Sequence, residues 1–166
     1  MVDAKQGLTE ESNMARMEEF LPAAQKTYQE LECPTFQGKP FVAGPPLNRR
    51  RIAIVSSAGL LPRGEKPFAG GDADYRAIPS TTRPADLLLS HVSVNFDRTG
   101  WQRDVNVVYP IDRLNELAAM GTIGSVAATH YSFMGATDPK LMEANARELA
   151  GKLHADQVDG VVLLPV

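Results

Sequence analysis

One cysteine, Cys33, is all the thiol chemistry this 166-residue chain contains. A lone thiol excludes an internal disulfide, a CxxC redox pair and a cysteine-based zinc cluster. In "ELECPTF" no neighbouring histidine or helix start lowers its pKa, so packing suits it better than nucleophilic attack. The three histidines show no HxH or HExxH spacing, and no metal site is expected. Neither GxGxxG nor a Walker sequence occurs, so nothing points to a nucleotide. Long apolar runs are missing as well. No stretch reaches ~18 consecutive apolar residues, and "MVDAKQGLTEESN" lacks the apolar core of a signal peptide. The expectation is therefore a cytoplasmic protein with no membrane partner. Positive charge is also scarce: a net charge of −3 leaves no basic face to neutralise phosphates, which argues against nucleic acid as a partner. Arg49, Arg50 and Arg51 form the only basic run, directly before an apolar strand, where a solvated flank is the simplest reading.

What remains is ordinary globular material, 43% hydrophobic and 22% charged, enough for one core. Residues 1–50 read as amphipathic helices and a Pro/Gly-rich connector, residues 51–166 as an α/β domain. From Thr9 to Glu32, the positions Met14, Met17, Leu21, Ala24, Tyr28 and Leu31 recur at three- and four-residue steps. Pro22 divides a helix ending near Leu21 from a second one. "CPTFQGKPFVAGPPLNRRR" follows without any period. "RIAIVSSAG" is then a continuous β-branched run, the pattern of a strand buried on both faces. "LLPRGEKPFAGGDADY" reads as a long loop of the functional or mobile kind, and "YRAIPS" and "LLLSHVS" as short strands. Val105 to Tyr109 reads as another strand, leading into a helix with Leu114 and Leu117 on one face and a stop at Gly121. "IGSVAATHYSFMG" holds one or two strands. In "TDPKLMEANARELAGKLHADQ", Asp138 can cap a helix, Pro139 suits its first position, and Leu141, Met142, Leu149 and Leu153 line one side. The apolar strand "VDGVVLLPV" comes next. Strands and helices at βαβ spacing give an α/β fold: a three-layer, mostly parallel sheet with helices on both faces, preceded by an N-terminal helical segment.

In open parallel sheets, ligands bind beyond the carboxyl ends of the strands. Ser56 and Ser57, with Ala58 and Gly59, follow the first buried strand at that place. Their backbone amides either face a substrate carboxylate or belong to a plain tight turn. His91 and His130 stand beside strands and suit acid–base work or hydrogen-bonded structural roles, whereas His154 falls late in the last helix, on the surface. Arg76 offers a planar fork for a substrate carboxylate, or an ordinary ion pair. Asp104 and Asn106 share one side of the strand read at "DVNVVY", so they face the site or hold a neighbouring loop. Asp72 and Asp74 read as turn caps and Asp112 as a helix cap.

Taken in order, "RIAIVSSAG", "YRAIPS", "SHVS", "DVNVVYPIDRL", "GTIGSVAATHYSFMG" and "VDGVVLLPV" resemble the glycine/sarcosine/betaine reductase selenoprotein B family, which includes the selenocysteine subunit of D-proline reductase. The blocks run from about Arg51 to Val166. The resemblance implies an oxidoreductase subunit that reduces an amino acid or N-methylated amino acid by cleaving a C–N bond. It implies a thioredoxin-type electron donor, a pyruvoyl group on a partner subunit, and an oligomer. It further implies a selenocysteine or cysteine nucleophile directly after the strand matching "VDGVVLLPV", at a helix start whose dipole stabilises a selenolate or thiolate. No cofactor is expected within the 166 residues themselves. The expectation is thus a chain truncated just before its nucleophile and inactive alone, with a selenocysteine codon read as a stop as the leading explanation. Such a chain, with its last strand uncovered, is expected to be marginally stable or to hide that strand in a dimer or partner. From spacing rather than from the resemblance, His91, His130 and Asp104 are the expected proton-transfer residues, and Ser56, Ser57, Arg76 and Asn106 the expected substrate contacts. The alternative is a non-catalytic α/β interaction protein that docks on a related full-length subunit through its open sheet edge.

Overall fold

The computed structural model describes residues 17–30, 35, 37–38, 40–94 and 96–166. The chain divides into two compact units, Met1–Gln37 and Gly38–Val166. In the first, a short 3-10 turn at Met17–Glu19 precedes helix α1, Pro22–Gln29. Pro22 occupies its first turn, where the missing N–H costs no hydrogen bond. Gln25 Nε2 donates to Phe20 O at 2.7 Å, and the Phe20 and Tyr28 rings lie 5.6 Å apart. Over its described part, the helix expected to reach Leu21 is this turn followed by an extended Leu21. Met14, Leu31 and Cys33 lie outside the described residues.

The second unit contains β1 Arg51–Ser56, β2 Leu60–Pro62, β3 Tyr75–Pro79, β4 Leu87–Leu89, α2 Thr99–Arg103, α3 Ile111–Ala119, β5 Ser125–Val126, β6 Thr129–Phe133, α4 Pro139–Ala155 and β7 Gly160–Leu164. β1 is central. Along one side β7 pairs with it in parallel, from Ile52↔Gly160 to Ser56↔Leu164. Along the other, β5 pairs with its first half and β6 with its second, again in parallel. β3 closes that side antiparallel to β6. This is an α/β fold with a mostly parallel sheet. Ile52 and Ile54 enter one apolar cluster with Ile111 and Leu114 of α3. Val55 enters another with Tyr131, Phe133 and the α4 residues Met142, Leu149 and Leu153. A strand clothed on both faces has no solvated side, which is why "RIAIV" carries no polar alternation.

Local chemistry sets the helix ends. Asp138 caps α4 by accepting from Lys140 N at 2.9 Å, with Pro139 in first place. Gly121, at φ +69°, turns the chain out of α3. Leu141, expected in the buried stripe of α4, is 60% exposed in the first turn instead.

Two stretches depart further from the sequence reading. β2 forms where a loop was expected and pairs antiparallel with β4 in a separate ribbon, so "LLLSHVS" is a strand only over Leu87–Leu89. Val105–Val107 is a 3-10 turn, not a strand. The Asp104 carboxylate accepts from Asn106 N at 2.9 Å and folds the chain back on itself, and Pro110 has no N–H to extend a ladder. Asp104 and Asn106 therefore share no strand face.

Candidate functional site at the carboxyl ends of β1, β6 and β7

Three strand ends meet at Ser57. Its amide donates to Leu164 O at 2.9 Å, its carbonyl accepts from Gly135 N at 2.8 Å, and its hydroxyl accepts from Val166 N at 2.8 Å. One residue behind β1 thus ties together the exits of β1, β6 and β7. Ala58 N donates to Ser56 Oγ at 3.2 Å and Gly59 N to Phe133 O at 2.8 Å. The amides of Ser57, Ala58 and Gly59 are therefore consumed within the fold, as in the tight-turn reading of this stretch. Ser56, at 1% exposure, serves the turn.

His91 arrives at the same rim from β4. Gly59 adopts φ +68°, and a Cβ there would lie 3.1 Å from His91 N, so the two backbones cross at close quarters. His91 is 7% exposed and stacks 4.9 Å from Phe96. Its Nδ1 accepts from Ser93 N at 3.2 Å, which leaves the proton of the neutral ring on Nε2, a buried atom without a partner. Burial, and then the nearby Arg98 guanidinium, hold its pKa below the usual histidine value.

The other expected site residues are not brought to this rim. His130 is fully buried in β6, where Nδ1 accepts from Ile54 N at 3.0 Å. β5 and β6 are separated at Ala127–Ala128, and the imidazole takes the place of a backbone carbonyl opposite that amide. The Tyr109 ring lies edge-on at 5.5 Å. Burial drives the His130 pKa down to about 4, with Asp156 opposing and Arg51 reinforcing the shift.

Arg76 is equally enclosed. Its guanidinium donates to Asp74 Oδ2 at 2.7 Å and to Lys66 O at 2.9 Å, and lies 4.3 Å above the Phe68 ring. With Thr137 Oγ1 on Asp72 O and Asn145 Nδ2 on Ala73 O, it pins the long loop between β2 and β3. These bonds hold the loop at Lys66, Asp72, Ala73 and Asp74.

Asp104, Asn106 and Asp112 form a polar knot before α3. Asn106 Nδ2 donates to Asp104 Oδ1 at 2.8 Å and to Asp112 Oδ2 at 3.0 Å, and Asn106 Oδ1 accepts from Asp112 N at 3.1 Å. Asp112 is thus inside the first turn of α3, whose cap position is Pro110. The Asn106 amide, and then its side chain, lower the Asp104 pKa.

Sequence reasoning missed Gly135. A Cβ there would stand 2.6 Å from Val166 O and 2.9 Å from Ser57 O, so only glycine fits without displacement. A glycine two residues behind a buried strand was the available signal of close backbone approach. Among the described residues, no group of three or more His, Cys, Asp or Glu is arranged to hold a metal, and no helix is long and apolar enough to cross a membrane.

The glycine/sarcosine/betaine reductase selenoprotein B family profile matches residues 23–165. The chain belongs to that family. Among curated members, it is 32% identical over 115 residues to the D-proline reductase subunit gamma of Acetoanaerobium sticklandii, covering 68% of this chain and 47% of that one. It is 29% identical over 142 residues to the glycine reductase complex component B subunit gamma of Symbiobacterium thermophilum, covering 81% and 33%. To the betaine reductase complex component B subunit beta of Peptoclostridium acidaminophilum it is 26% identical over 122 residues, covering 70% and 28%. The chain spans less than half the length of each of these reductase subunits. No solved structure matches it significantly.

Proposed function

We infer that this chain is part of a reductase subunit that cleaves a C–N bond of an amino acid of the glycine, sarcosine, betaine or D-proline kind. The observation that carries the reading is the convergence of β1, β6 and β7 at Ser57, at the end of the sheet where open α/β folds bind ligands. The family resemblance puts a selenocysteine or cysteine directly after β7, so this rim would be the floor beneath it. Reductive cleavage needs two electrons and two protons, one proton ending on the carbon and one on the amine, and a dithiol oxidised to a disulfide supplies all four. His91 is the proposed substrate contact: it stands at the rim with its ring neutral at pH 7 and the proton on Nε2, so it can donate a hydrogen bond to the substrate without giving that proton up. Ser56, Arg76, Asp104, Asn106 and His130 stay outside the proposed contact set, since their hydrogen bonds already serve the fold. The pyruvoyl-bearing partner subunit and the thioredoxin-type donor come from the resemblance and complete the reading.

A second reading has its own observation. β7 leaves Val161 and Leu163 39% and 71% exposed on the α4 side of the sheet, a surface that suits a non-catalytic module docking on a related subunit. Dithiol-dependent amine release separates the two. The full-length subunit with its partners is expected to release amine, and residues 1–166 with the same partners are not. Turnover by residues 1–166 would refute a nucleophile located after β7, and silence of the full-length complex towards every named substrate would favour the docking module.

A further inference from the structure

We propose that Ser57 and Gly135 form a clamp on the peptide that leaves β7, fixing the direction in which the following residue points. The aiming role rests on the reading above, that the reactive atom follows β7; the clamp itself does not. Pairing between β1 and β7 ends at Ser56↔Leu164. Pro165 has no N–H, so the Val166 amide is the first donor beyond the ladder, and its acceptor is a side-chain hydroxyl, Ser57 Oγ at 2.8 Å. The carbonyl that follows on the same residue is closed in sterically: a Cβ on Gly135 would reach within 2.6 Å of Val166 O. Gly135 is itself held, through its amide on Ser57 O at 2.8 Å. One serine therefore reads both neighbouring strands, and one glycine provides the room. Neither touches a reacting atom, so both are positioning residues. A reacting atom must be held to a fraction of an ångström, and an exit peptide free to rotate would lose that alignment.

The test uses the full-length subunit in its complex, with Ser57→Ala, Ser57→Thr and Gly135→Ala. Ser57→Ala is expected to lower kcat about 10- to 100-fold with KM nearly unchanged, and Ser57→Thr, which keeps the hydroxyl, to restore most of it. Gly135→Ala is expected to show the same split, and the double variant to lose little more than either single one. Amide exchange gives a readout free of turnover: Ser57→Ala should speed exchange at Val166 about five- to tenfold, with β1 unchanged. Unchanged exchange at Val166 overturns the clamp. Faster exchange with wild-type kcat, or Ser57→Thr as impaired as Ser57→Ala, overturns the aiming role. A wild-type complex that releases no amine defeats the catalytic reading, and the aiming role with it, while exchange still decides the clamp.

Discussion

Replacing His130 by asparagine should flatten the acid side of the stability profile. Asparagine places a carbonyl oxygen near the position of Nδ1, so the Ile54 amide keeps an acceptor while the titrating ring is gone. In the wild type the folded pKa is about 4, against 6.5 for an ordinary histidine. The folded pKa is depressed, so the unfolded chain binds the proton first. The stability is therefore present above pH 6.5 and is lost as the pH falls towards 4. At 1.36 kcal/mol per pKa unit the full loss is about 3 kcal/mol, of which about 2 kcal/mol falls between pH 7 and pH 5. Most of that window lies above the range where carboxylates with lowered pKa, such as Asp156, begin to take up protons. Urea unfolding at pH 7, 6 and 5 reads the difference directly. The variant should start less stable at pH 7, because the smaller side chain underfills a site with 0% exposure, yet lose about 2 kcal/mol less than the wild type on going to pH 5. Parallel wild-type and variant curves would show that His130 already binds its proton in the folded state, and the assignment of its imidazole as a permanent backbone acceptor would be wrong.

Arg76→Ala should cost about 1–3 kcal/mol, since Lys66 O and the Asp74 carboxylate lose their donor, and should open the loop at Gly70–Gly71 to limited proteolysis; an unchanged digestion pattern would refute its pinning role. Leu163→Lys should leave the unfolding free energy of residues 1–166 within about 0.5 kcal/mol, whereas Ile54→Ala on the adjacent strand should cost about 2–5 kcal/mol. Urea titrations check that contrast, and a large loss for Leu163→Lys would mean that the α4 side of β7 is covered in solution.

The parts of the fold that local rules control were legible in the sequence. β1 announced itself as an unbroken β-branched run, and Asp138 and Pro139 announced the start of α4. β propensity misled at "DVNVVY", where Asp104 and Pro110, at the two ends of a valine-rich stretch, set the backbone instead. The two histidines beside strands look alike in sequence, and what separates them is three-dimensional. His91 lies where a glycine lets two backbones cross, while His130 lies where a strand is interrupted and an amide needs an acceptor. Arg76 had both readings open, and its ion pair with Asp74, two residues away, shows how a short-range partner claims a guanidinium before a ligand can. Ser57 was placed correctly behind β1, but its hydroxyl meets a partner 109 residues later, which no local pattern reveals.

The central strand also dictates a timetable. β1 is among the first parts of its unit to leave the ribosome, yet the residue that pairs with Ile52 on its β7 side is Gly160, and the flanking bond from Arg51 to Asp159 spans 108 positions. Until residues 160–164 have been made, one edge of the central strand has no mate, and closing so large a loop is slow compared with forming a helix or a hairpin. A nascent chain in that condition is prone to misassociate with its neighbours, so production of this protein should respond to chaperone supply and to the pace of synthesis through α4 and β7.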